Sequence, residues 1–201
     1  MTTPGFRKGR SAGGRSGSAR DGGDGFISSS MFSQAQILHL MKTEFARARR
    51  HGFPLGCVLL QVDRIAQLVD LYGADLRATL RNTLAQLVRD KTRGADLLGV
   101  VTEDRYMLAL PHTTLEQARV VAERLHSLFR EYEVKVDGRA LDLTLSVGIS
   151  ATGQSDAMFF DTLVGQAEAA LEYAMDQGGN RVVSFGETQL LGKQPEQKPE
   201  A

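Results

Sequence analysis

Apolar positions recur along this chain with two periods. Between Gln34 and Arg50, Ile37, Leu38, Met41, Phe45 and Ala48 return every three to four residues, which predicts an amphipathic helix that His51-Gly52-Phe53-Pro54 stops. Leu55–Val62 is a nearly continuous apolar run containing Val and Cys, as expected of a central strand buried on both faces. Leu76, Leu80, Leu84 and Leu87 mark a second helix. Leu97–Val101 and Tyr106–Leu110 flank four polar residues, Thr102 to Arg105, and predict a hairpin. Leu115, Ala118, Ala122, Leu125 and Phe129 mark a third helix. Leu141, Leu143, Leu145, Val147 and Ile149 alternate strictly, which predicts one strand with a single buried face. Asp161–Met175 is helical in pattern, Gly178-Gly179 closes it, and Val182–Phe185 predicts a last strand. The order predicts an α/β (α+β) domain with helices packed on a mostly antiparallel sheet.

The ends read differently. Residues 1–30 are Gly/Ser-rich, carry Arg7, Lys8, Arg10, Arg15 and Arg20, and hold almost no apolar residue before Phe26. Such a segment cannot bury enough surface to offset its ordering entropy and is expected to be a disordered arm, either a basic tether for an acidic partner or membrane surface or a passive tail. Residues 188–201 are polar and rich in Pro, Gln and Glu, a second expected tail, leaving residues 31–187 as the domain.

Composition narrows the function classes. The 201 residues hold 24 Lys+Arg against 24 Asp+Glu, and this balance argues against general nucleic-acid binding. The single Cys excludes a disulfide framework, and the scattered His residues lack metal-ligand spacing, so neither metal nor cofactor is expected. The longest apolar runs fall far short of the ~20 residues a membrane helix needs, and the basic N-terminus lacks the apolar stretch of a secretory signal. A cytoplasmic domain is the expectation. Cys57 is expected in the core, His39, His51, His112 and His126 at the surface or in turns, and Phe159-Phe160 as a staple at a helix start.

Six phrases then stand in order. They are Glu44-Phe-Ala-Arg-Ala-Arg-Arg-His-Gly-Phe-Pro-Leu55, Leu59-Leu-Gln-Val-Asp-Arg64, Asp70-Leu-Tyr-Gly73, Ala122-Glu-Arg-Leu125, Leu143-Thr-Leu-Ser-Val-Gly-Ile149 and Gly178-Gly-Asn-Arg-Val-Val183. Together they resemble the GGDEF domain of bacterial diguanylate cyclases, which join two GTP molecules into cyclic di-GMP. The resemblance covers about residues 32–187 and implies a nucleotidyl-cyclase-like palm fold. Gly22-Gly23-Asp24-Gly25-Phe26 is spelled almost like the family signature, but it precedes the domain that should contain it and is set aside.

The resemblance places the signature at Thr102-Glu103-Asp104-Arg105-Tyr106. Family members have glycines at the first two positions, where the backbone approaches GTP closely. Asp104 keeps the family's metal-binding carboxylate, and Arg105 reverses the charge of the next residue. The family's other metal carboxylate corresponds to Gln61, ahead of Val62 and Asp63. Its guanine-reading Asn corresponds to Val69, its Gly-Asp falls at Arg77 or Ala78, and its phosphate-contacting Lys residues correspond to Ala66 and Met175. The Asp-x-Leu-Thr phrase that opens the family's domain is replaced by Phe26–Ser33. Magnesium wants hard anionic oxygens, and phosphoryl transfer depends on metal and positioning, so no catalytic residues are expected.

The family's inhibitory site for cyclic di-GMP is an Arg-x-x-Asp that ends five residues before the signature. Here Arg93-Gly94-Ala95-Asp96 stands at that spacing. An Arg can fork onto guanine O6 and N7, and a carboxylate can accept from N1–H and N2–H₂. The family's second Arg, in Ala-Glu-Arg on the next helix, corresponds to Arg124. Arg93, Asp96 and Arg124 are thus the candidate cyclic di-GMP-binding residues, with the plain alternative that they are surface residues; Arg139-Ala-Leu-Asp142 repeats the spacing without the position.

Three functions stay open. One is a catalytically inactive GGDEF-like receptor for cyclic di-GMP that signals to a protein partner, with ligand-induced homodimerisation as a mechanism. Another is a nucleotide-independent protein-interaction scaffold of such a pathway. The third is a residual diguanylate cyclase relying on Asp104 and Asp63.

Overall fold

A computed structural model describes residues 31–136, 139–153 and 159–191. The expected N-terminal arm, its Gly22–Phe26 phrase and residues 192–201 of the expected tail lie outside them. Ser33 starts α1 (Gln34–His51) with a reciprocal cap, its hydroxyl accepting from the Gln36 N–H and its own N–H donating to the Gln36 side chain at 2.9 Å. Gly52, left-handed at φ 71°, ends that helix. After β1 (Leu55–Val62) come α2 (Ile65–Tyr72), α3 (Asp75–Lys91), β2 (Leu97–Val100) and β3 (Arg105–Pro111). Then follow α4 (Leu115–Glu131), β4 (Val134–Val136), β5 (Arg139–Leu141), β6 (Leu145–Ala151), α5 (Phe160–Asp176), β7 (Val182–Ser184) and α6 (Phe185–Leu191).

One five-stranded sheet has the order β2-β3-β1-β6-β7, antiparallel except for the β6–β7 pair. This is the mostly antiparallel α/β arrangement that the periodicity implied. Alternate residues of central β1 feed two cores. Val58, Leu60 and Val62 join Leu80 and Leu84 of α3 and Leu125 and Phe129 of α4. Cys57 and Leu59 join Ile37 and Met41 of α1 and Leu163 and Leu171 of α5. Each fully buried aliphatic side chain contributes about 1.5–3 kcal/mol, so helices on both faces are what a doubly apolar strand requires.

The structure corrects several local readings and adds short helices to those expected. The alternating stretch from Leu141 to Ile149 is not one strand: β5 ends at Leu141 in a small hairpin with β4, and β6 begins at Leu145. Nor is β6 buried on one face only, because all seven residues are buried. Ser146, Gly148 and Ser150 look polar or neutral in sequence, yet all three are buried, Gly148 and Ser150 against α5. A Cβ on Gly148 would fall 2.2 Å from the Ala167 carbonyl oxygen. The single helix expected around Leu76–Leu87 is preceded by a separate short helix, α2, set off from α3 by Gly73 at φ 92°. Phe159 and Phe160 do not act as a pair. Phe160 packs edge-on against Phe45 with ring centroids 6.2 Å apart, while Phe159 is exposed. Finally, the last strand stops at Ser184, and Phe185 begins α6 instead. Cys57 lies in the core, where burial pushes its thiol up to about 12. No helix among the described residues is long and apolar enough to cross a membrane.

Candidate functional site

The Arg93–Asp96 turn joins the end of α3 to β2. It closes on itself: the Asp96 N–H donates to the Arg93 carbonyl at 3.0 Å, and the Arg93 N–H donates to Asp96 Oδ2 at 2.8 Å. Leu98, two residues on, is buried in the sheet and fixes where the turn points. Opposite stands the outer face of α4, whose start is set by a reciprocal cap between Thr114 and Gln117. Between the two lies an open cleft of about 500 Å³. Arg93, Asp96 and Arg124 all line it, over a floor of Leu110 and Val121 with exposed Val120 at the rim.

The electrostatics follow from that placement. Asp96 is half-buried, and burial raises its carboxyl above the usual value, opposed by the Arg93 N–H and by the charges of Arg93 and Arg124. Arg124 also donates to the Lys91 carbonyl at the C-terminal end of α3, tying α4 to the turn. Lys91, Thr113 and Gln117 line the same cleft and were not singled out from the sequence. For Lys91 the usable signal was its position two residues before Arg93; Thr113 and Gln117 come from another element and carried none. A cleft of this size, lined by apolar side chains, two guanidinium groups, Lys91 and the carboxylates of Asp90 and Asp96, has the make-up of a small-molecule site (commonly about 300–1,000 Å³). It suits a planar heterocycle with an acceptor edge and a donor edge, carried on an anionic backbone.

The β2–β3 turn stands at the other end of α3. Arg77 Nε donates to Asp104 Oδ1 at 2.7 Å, one Nη donates to Oδ2 at 3.2 Å, and the other Nη donates to Glu103 at 2.8 Å. Arg105 pairs in register with Gln61 on β1, and its Nε donates to the Gln61 side-chain oxygen at 2.9 Å. Its guanidinium also lies 3.6 Å from Glu172 of α5. Asp63 faces the start of β6 and the loop after α5 instead, accepting from the Thr144 hydroxyl at 2.7 Å, the Ser146 hydroxyl at 2.6 Å and the Asn180 N–H at 2.9 Å. Val69 and Met175 pack against the apolar cores, while Ala66 is exposed. Among the described residues, no three His, Cys, Asp or Glu side chains converge as a metal site.

Comparison with known proteins gives the family and the fold. A family model described as diguanylate cyclase, GGDEF domain, matches residues 29–181. The chain is 27% identical over 145 residues to diguanylate cyclase DosC of Escherichia coli K12, covering 71% of this chain and 31% of that protein. It is 27% identical over 140 residues to the response regulator PleD of Caulobacter vibrioides, covering 68% and 30%. The chain thus spans about a third of the length of these curated relatives. Among solved structures, diguanylate cyclase SiaD of Pseudomonas aeruginosa, in complex with its activator SiaC, superposes with a TM-score of 0.72 at 28% identity, over 78% of this chain and 59% of that one. The active GGEEF domain of a Vibrio cholerae diguanylate cyclase shares the fold, with a TM-score of 0.71 at 22% identity over 77% and 97%.

Proposed function

The chain belongs to the diguanylate cyclase GGDEF domain family, and on that premise we propose that it is a receptor for cyclic di-GMP that does not itself make it. The observation that carries this reading is the cleft in which Arg93, Asp96 and Arg124 meet over an apolar floor. In this reading one guanidinium forks onto guanine O6 and N7. The Asp96 carboxylate accepts from N1–H and N2–H₂, the floor takes the face of the base, and the remaining cation meets phosphate. Cyclic di-GMP carries two guanines, so a ligand held by one domain presents a second base to another, and binding drives homodimerisation. A protein partner that prefers one of the two assemblies then reads the signal.

The loss of synthesis rests on the other end of α3. Thr102 and Glu103 bring side chains to the positions where the family has glycine, and Gln61 supplies an uncharged oxygen in place of a carboxylate. Val69 has no group to hydrogen-bond a base.

Isothermal titration of the protein with cyclic di-GMP tests the reading, with Arg93→Ala as control. The expected result is micromolar or tighter binding, weakened at least about tenfold in the variant. No heat at about millimolar ligand, where binding free energy would be only ~4 kcal/mol, would leave a nucleotide-independent scaffold. GTP turnover above background by the purified chain would restore the cyclase reading, and none is expected.

A further inference from the structure

At the β2–β3 turn a single side chain holds two carboxylates. Both oxygens of Asp104 and one of Glu103 accept from the Arg77 guanidinium. A divalent metal ion bound at Asp104 would compete with the guanidinium for the same oxygens, since it takes anionic oxygens. A guanidinium stays protonated at any working pH and matches a carboxylate with a planar fork. The other oxygens nearby are also engaged. Gln61 accepts from Arg105, and Asp63 accepts from Thr144, Ser146 and Asn180. Glu103 and Asp104 are matched in number by two cations, Arg77 and Arg105, and Arg105 also faces Glu172, so each carboxylate of the corner already has a partner. The residues present therefore do not fit the magnesium that the family's chemistry implies.

We propose that Arg77 is a built-in cation that takes the place of a divalent metal ion at Asp104, so that this corner holds its charge balance without metal. The proposal deepens the non-synthesising half of the reading above and is independent of the cleft at Arg93. It assigns Arg77 a definite role: the residue that decides what Asp104 pairs with. Both side chains sit mostly out of solvent, 22% and 23% exposed, so water does not readily compete for the pair.

Mn²⁺ binding to the full chain, followed by electron paramagnetic resonance, tests it. Mn²⁺ favours the same oxygen ligands as magnesium and reports its own bound fraction. The wild type is expected to bind no Mn²⁺ at about millimolar concentration, and Arg77→Ala, which frees Asp104 and Glu103, is expected to bind at least about tenfold tighter. Adding Asp104→Asn to Arg77→Ala should remove the gain. Arg77→Gln serves the same purpose if the alanine variant does not melt cooperatively. Tight Mn²⁺ binding by wild type that Asp104→Asn abolishes would overturn the proposal. So would an unchanged affinity in a folded Arg77 variant, or a gain that survives Asp104→Asn. Cyclic di-GMP titrated into the Arg77 variant reports on the Arg93 cleft alone, so the two readings fail separately.

Discussion

Replacing Asp96 by Asn would separate the proposed ligand recognition from folding. Burial raises the Asp96 carboxyl above its ordinary value of 3.8, and the Arg93 N–H and the charges of Arg93 and Arg124 only partly offset that. A group with a folded pKa above its unfolded one contributes stability that is full below the unfolded value and is lost as pH rises through the folded value. At pH 7 the ionised Asp96 therefore costs the fold something. Asn keeps an oxygen for the Arg93 N–H and sheds the charge, so Asp96→Asn is expected to melt at or above the wild-type temperature. Binding should move the other way. Only the ionised carboxylate offers acceptors to both guanine donors, whereas an amide turns a donor toward them. A hydrogen bond to a charged group is worth about 1.5–3 kcal/mol. Asp96 is only half-buried, which favours the lower part of that range; about 2 kcal/mol corresponds to about thirtyfold in Kd. The assay is titration calorimetry with cyclic di-GMP at pH 7.5, paired with thermal melts of both proteins. Wild-type affinity should also fall as pH drops through the raised Asp96 pKa, starting above the range of an ordinary carboxylate, and that fall should be absent in the variant. Affinity within about threefold of wild type for Asp96→Asn, a difference of under 1 kcal/mol, would refute the assignment. So would a lower melting temperature with unchanged binding, the mark of a purely structural turn residue.

Gly148→Ala should cost roughly 1–3 kcal/mol or more in urea unfolding, since the new Cβ meets backbone of α5 that can yield only by moving the helix. Its contacts would be 2.2 Å to the Ala167 oxygen and 2.3 Å to the Leu171 nitrogen. Phe129→Ala removes a fully buried ring between α4 and the sheet. The expected loss is about 3–5 kcal/mol by the same measurement. Cys57, buried and with its thiol pushed up to about 12, should not react with a chromogenic disulfide reagent at pH 8 until denaturant opens the fold. Rapid labelling of the native protein would contradict its placement.

The main elements of the fold were legible because burial imposes period on sequence. Ile37, Met41 and Phe45 betray α1, and Leu55–Val62 betrays a strand covered on both sides. What misled was residue size. Ser146, Gly148 and Ser150 alternate with Leu145, Val147 and Ile149, and alternation with small residues reads as a solvent face. Here the small residues admit the backbone of α5, and the Ser150 hydroxyl is satisfied by donating to the Leu163 carbonyl at 2.6 Å. Close helix approach and solvent exposure select similar residues for opposite reasons. α2 was missed because eight residues give barely two turns of period, and its only buried side chain is Ile65.

The two candidate corners were legible to different degrees, and sequence separation explains the difference. Arg93 and Asp96 form one turn, so their spacing already shows that the carboxylate can reach back to the Arg93 N–H. Arg124 comes from another helix, and only the family resemblance pointed to it; the fold then sets it on the same cleft. Arg77 and Asp104 are 27 residues apart, and no local pattern links them. Read alone, Asp104 looks like a retained metal ligand beside lost ones, and Arg77 like one more substitution. Together they form a forked ion pair that takes both carboxylate oxygens. A carboxylate that matches a family position is thus no guide to its chemistry until its partner is known, and that partner is visible only once α3 has packed beside the turn.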